Sequence, residues 1–128
     1  MRLFRLGLAV LVLWANLLSP ALGARLHPES WYQRLWCREH QGQQEYRLPD
    51  KTRCDCLTKT HAVEFDFAPK WAEAIGQALY YSLQTGKRAG IVLILEKETD
   101  YKYWLRLNTT IQHFHLPIDT WMMTPHDR

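Results

Sequence analysis

Apolar and polar positions alternate with two different periods along this chain. Residues 28–40 carry Trp31, Leu35 and either Cys37 or Arg38 at helical spacing, after a proline suited to a first turn and before Gly42 as a stop. Residues 43–48 and 53–57 read as strands, separated by turn chemistry at Pro49, Asp50, Lys51 and Thr52. Over residues 61–67 the period becomes two: Val63, Phe65 and Phe67 share one face, Glu64 and Asp66 the other. Links this tight predict an antiparallel meander. Pro69 then opens a helix to about Thr85, closed by Gly86 with Lys87 and Arg88 beside its negative end. Residues 91–95 form an unbroken apolar run, the pattern of a central strand covered on both faces. Thr99 or Asp100 caps a further helix in which Trp104, Leu107, Ile111 and Phe114 share a face. A last short strand over residues 118–122 and a frayed tail over residues 124–128 complete the chain. The order α-β-β-β-α-β-α-β predicts an α/β fold with a mixed central sheet and helices on its faces.

The first residues follow another logic. Arg2 and Arg5 precede an apolar run from 6 to 18, and small residues follow around Gly23 and Ala24. That is the pattern of a secretory signal peptide spanning residues 1–23, so the expected location is secreted or periplasmic. An uncleaved anchor is the rival, but the run is short for the roughly 20 apolar residues that a span needs. Residues 24–128 then make one domain, with no membrane contact expected after leader removal. Sixteen lysines and arginines face thirteen acids, and two of the arginines lie in the leader. The remainder is nearly neutral, so no global field draws it onto a polyanion.

Export changes the reading of the three cysteines. An oxidising compartment allows one bridge from Cys37 to either Cys54 or Cys56; the alternative is three small buried thiols. Cys-x-Cys without a second ligand pair does not suit zinc.

Candidate chemistry sits between residues 55 and 81. If the strands pair through Lys59 and Thr60, Asp55 lies beside Glu64 or Asp66. Carboxylates at that range repel unless they are exposed or neutralised by a divalent cation, for which oxygen ligands suit Mg²⁺ or Mn²⁺. On the following helix, Lys70, Gln77 and Tyr81 fall in one stripe at about 100° per residue. A phosphoryl group polarised by such a cation would have Lys70 to stabilise its developing charge, and Gln77 and Tyr81 to orient it. The plainer alternative makes Glu64 and Asp66 a wet strand face and Lys70, Gln77 and Tyr81 ordinary surface.

Asp55-x8-Glu64-x-Asp66, followed by Gln77-x-x-x-Tyr81 on a helix, resembles the PD-(D/E)xK nuclease-like superfamily, also called restriction-endonuclease-like, in its RecB-type branch. The resemblance implies a restriction-endonuclease-like core, with Asp55 and Glu64 as the metal-binding pair. It implies Glu29 as the helix-one acid, with Glu45 as its rival. It also implies Mg²⁺ or Mn²⁺ as cofactor and DNA or RNA as partner. The family's lysine position is occupied by Asp66, and Lys70 on the next helix is the substitute. The function implied is an exported metal-dependent nuclease-like hydrolase of phosphodiesters. The alternative is an inactive domain of the same fold acting as an extracytoplasmic binding module. Asn108-Thr109-Thr110 is a glycosylation sequon on a predicted helix. His113 and His115 are too poorly aligned on a helix to pair on a metal.

Overall fold

The computed structural model describes residues 24–128, so the predicted leader lies outside the described residues. The chain runs α1 (Glu29–Glu39), β1 (Gln43–Arg47), β2 (Arg53–Leu57), β3 (His61–Phe67), α2 (Trp71–Thr85), β4 (Arg88–Ile94), α3 (Tyr101–His113) and β5 (Ile118–Met123). A 3-10 turn precedes each of α2 and α3, at Ala68–Lys70 and Glu98–Asp100. The five strands lie in sequence order in one mixed sheet. β1, β2 and β3 are antiparallel, while β3, β4 and β5 are parallel. The protein is thus α/β, and among the described residues no helix is long and apolar enough to cross a membrane.

The two faces of the sheet are covered differently. α1 packs on one face, where Tyr32, Trp36 and Cys37 meet Val63, Phe65, Phe67, Val92, Ile94 and Met123. α2 and α3 cover the other, where Ala74, Ala78 and Leu107 meet Ala89, Ile91, Leu93 and Ile118. β4 is buried on both faces from Ala89 onward, as its unbroken apolar run requires.

Several sequence expectations shift. α1 buries Tyr32, Gln33, Trp36 and Cys37 most deeply, while Trp31 and Leu35 of the expected row pack at the edge of the same core, only partly buried. On α2 the fully buried positions are Ala74 and Ala78; Trp71, Ile75 and Leu79 flank them, only partly buried. Small side chains let this helix lie close to β3 and β4. β4 begins at Arg88, so that residue does not serve the end of α2; its guanidinium pairs with Asp119. Phe114 is 66% exposed and falls outside the α3 face on which Leu107 sits. The Asp100 carboxylate accepts the N–H groups of Glu96 and Lys97 and so caps the 3-10 turn ahead of α3. The tail closes into a turn, with Thr124 N–H donated to Asp127. The sequon asparagine is engaged: Asn108 donates to the Trp104 carbonyl and accepts from Thr120.

A disulfide joins Cys37 of α1 to Cys56 of β2, and Cys54 stays a buried free thiol that burial pushes up to about 11. Gly42 is explained by this bridge. A Cβ there would stand 2.4 Å from Cys56 Sγ and 2.8 Å from Cys37 Sγ. The left-handed residue that turns the chain out of α1 is Gln41, at φ 54°.

Candidate functional site

β2 and β3 pair at Cys56–Val63 and Leu57–Ala62, and no registered pair follows beyond Cys56. The register sets Asp55 opposite Glu64. Where the ladder ends, the Asp55 carboxylate takes the place of a backbone carbonyl and accepts the Phe65 N–H at 2.7 Å. One of its oxygens is thereby held against the β3 backbone. Across β1, Glu45 faces this position and has φ 54°, a left-handed conformation inside a strand for a residue with a side chain.

Glu64 and Asp66 are on the sheet face covered by α2, and neither is a wet strand position: Glu64 is 4% and Asp66 6% exposed. Glu64 Oε2 is buried with no hydrogen-bond partner among the described residues. Burial pushes the Glu64 carboxyl far above its ordinary range, and the Asp55 carboxylate beside it adds to the rise. Burial also raises Asp55, against the lowering effect of the Phe65 N–H; Glu29 raises it further. Asp66 is lifted by burial to about 7, with Glu29 adding and Lys70 opposing. Glu29 itself is raised by burial, while the Gln33 hydrogen bond and Lys70 pull it down. Four carboxyl groups thus sense one another; Lys70 opposes the rise at Glu29 and Asp66, while burial favours the protonated form of Glu64.

The other expected members divide. Lys70, exposed at the end of the 3-10 turn, lies within electrostatic reach of Asp66 and Glu29. Tyr81, half-buried on α2, has its hydroxyl raised by burial and by Glu64 and Asp55, so it stays a proton donor at neutral pH. Gln77 is exposed and, among the described residues, makes no hydrogen bond to the acids. Glu45 acts on both Glu29 and Asp55, so the two rival acids share one neighbourhood. Cys37 and Cys56 lie on the opposite face, where their bridge ties α1 to β2, and Cys54 is beside them in the interior.

The sequence reading missed two groups. Gln33 is 3% exposed and donates to Glu29 Oε1 at 2.9 Å, while Gln44 donates to Gln33 Oε1 at 3.3 Å. This amide chain fixes Glu29 from β1 through α1. A glutamine at the fourth position after a glutamate was the available signal. Arg25 was also missed: it stacks over the Phe67 ring at 3.6 Å and lowers both Glu29 and Asp66.

The all-oxygen donor set and the orphaned Glu64 oxygen suit a hard cation. Among the described residues, however, no three His, Cys, Asp or Glu side chains are drawn together as a metal centre. The fit is therefore to the Asp55–Glu64 pair, with Asp66 and Glu29 as neighbours. Comparison with protein-family models, with curated proteins and with solved structures found no match.

Proposed function

We propose that the cluster is the divalent-cation site of a nuclease-like domain that hydrolyses nucleic-acid phosphodiesters outside the cytosol. The observation that carries this reading is Glu64: an acid 4% exposed, beside a second acid, with one oxygen unpartnered. A purely structural carboxyl so buried would be expected to have a hydrogen-bond partner for each oxygen. Asp55 and Glu64 would hold Mg²⁺ or Mn²⁺, with Asp66 and Glu29 close by. Bound there, the cation would supply Lewis acidity toward a phosphoryl oxygen and a more acidic attached water.

The chain's own groups fill the remaining roles. Lys70 offers its positive charge to the phosphoryl oxygens as charge develops. Tyr81, kept protonated, donates to a phosphate oxygen. Gln33, steadied by Gln44, holds Glu29 in one orientation toward the cluster. The order of strands and helices and the Asp55, Glu64, Gln77, Tyr81 spacing support the PD-(D/E)xK resemblance. A disulfide supports an oxidising location, in line with the leader read from residues 1–23.

A second reading, a non-catalytic binding module of the same fold, draws on Asp66 in the lysine position and on the missing convergence of three ligands. One experiment separates them. Purified protein is incubated with plasmid DNA and with RNA in Mg²⁺ or Mn²⁺, beside Glu64→Gln and Asp55→Asn, while melting temperature is followed against cation. Cleavage lost in both variants, with a cation-dependent rise in melting temperature only in the wild type, is the expected result. A thermal shift without cleavage selects the binding module, and neither response would sink the cation site altogether.

A further inference from the structure

Next to the acids lies a cavity of about 400 Å³ whose lining has the opposite sign. Its cations come from four separate segments: Arg25 before α1, Lys70 ahead of α2, Lys97 in the turn after β4, and Lys102 in the first turn of α3. The acids in its wall are committed elsewhere. Glu96 accepts the N–H groups of Leu26 and His27 and the Tyr32 hydroxyl. Asp100 accepts the N–H groups of Glu96 and Lys97. Arg25 reaches Glu96 only at 3.9 Å, and Lys70, Lys97 and Lys102 form no ion pair among the described residues. Lys70 is common to both features, since it lines this cavity and also acts on Asp66 and Glu29.

We propose that this cavity binds the terminal phosphate of a nucleic-acid strand and sets the strand end against the acid cluster. The inference rests on the nuclease reading for its choice of polymer, and on the cavity for its choice of anion. Within the lining itself four cations stand against two acids, a surplus of two positive charges, with Arg25 and Lys70 on the side shared with Glu29 and Asp66. That surplus matches a phosphomonoester, with its charge near −2, better than the single charge of an internal diester. Lysines act as point charges and arginine as a fork, and both serve a phosphate in this role. A strand held by its end places only near-terminal linkages beside Asp55 and Glu64, so cutting proceeds from an end.

The test measures binding of one oligonucleotide carrying either a phosphate or a hydroxyl at its 5′ end, and likewise at its 3′ end, in chelator so that nothing is cut. Inorganic phosphate is titrated as competitor. The wild type is expected to prefer one phosphorylated end by about tenfold or more, the scale of charge-assisted hydrogen bonds. Lys97→Glu/Lys102→Glu is expected to lose the preference, and Lys97→Arg/Lys102→Arg to keep it. Equal binding of phosphorylated and hydroxyl ends would overturn the proposal, as would inorganic phosphate binding as tightly as the phosphorylated strand. The two readings fail separately. End preference in a protein that never cleaves upholds the cavity and removes the nuclease; cleavage without end preference does the reverse.

Discussion

Asp66 and Asp119 are both aspartates on parallel strands of one sheet, yet their surroundings act on them in opposite directions. Asp119 on β5 receives Arg88 Nε at 2.5 Å and shares a hydrogen bond with His61 Nε2 at 2.6 Å. His61 Nδ1 in turn meets the Thr60 hydroxyl at 2.7 Å. The Arg88 hydrogen bond, followed by that of His61, holds the Asp119 carboxyl down at about 2. Asp66 on β3 has burial and acidic neighbours instead, and stands at about 7. The His61–Arg88–Asp119 group stitches the starts of three neighbouring strands, and its carboxylate is paired with a guanidinium. The Glu29–Asp55–Glu64–Asp66 group has no such ion pair among the described residues, which is why it is the place proposed for a ligand. A cluster of charges is informative when its members push one another away from their ordinary titration ranges.

The largest effect that would test this contrast is on rate. Glu64→Gln keeps shape and removes charge, and it is expected to lower phosphodiester hydrolysis about 1,000-fold. Asp119→Asn should leave the rate unchanged, and a comparable loss there would erase the distinction between the two groups. Next comes the staple between α1, which carries Glu29, and β2, which carries Asp55. Removing the bridge with Cys37→Ala/Cys56→Ala is expected to cost about 3 kcal/mol in urea unfolding, given its separation of 19 residues.

The pH response is smaller and has a definite sign. Asp66 is raised from 3.8 to about 7, so between those values the folded chain binds more protons than the unfolded one. The contribution of Asp66 to cation-free stability should therefore be greatest below about pH 4, fall as pH rises toward 7, and then level off. Asp66→Asn should flatten that fall by on the order of 2 kcal/mol. Divalent cation should oppose the fall in the wild type, since it competes with the protons. A melting temperature that climbs across this window without cation would contradict the buried-acid account.

Asp119 gives the smallest effect and the opposite slope. Its folded value lies below its unfolded one, so its contribution is full above about pH 4 and is lost as pH falls toward 2. Its side chain is 40% exposed, so Asp119→Asn should cost less than about 1 kcal/mol at neutral pH.

That Asp55 would lie beside Glu64 or Asp66 was legible, because a two-residue period and a short link leave few registers; only the observed register chose Glu64. The shared face of Glu64 and Asp66 was legible for the same reason. Their burial was not, since a strand face with two acids looks solvated until a helix with Ala74 and Ala78 on its inner surface lies down on it. Gln33 was hidden because a glutamine beside the Trp31–Leu35 row looks solvated, whereas the buried face of α1 is centred on Tyr32, Gln33, Trp36 and Cys37. Arg88 was read as a helix-end charge because its partner, Asp119, is 31 residues further on. Gln77, placed with Tyr81 by the 3.6 period, faces solvent; a stripe on a helix fixes direction around the axis but not which neighbours it reaches.

Local periodicity was enough to determine the helices and strands, the meander and the strand that presents the acids, because backbone geometry repeats over a few residues. Tertiary packing alone decided that those acids are buried, that Cys37 bonds Cys56 rather than Cys54, and that Arg25, Lys70, Lys97 and Lys102 surround one cavity. Desolvation and long-range electrostatics depend on which distant segments come together, and no spacing along a chain encodes that distance.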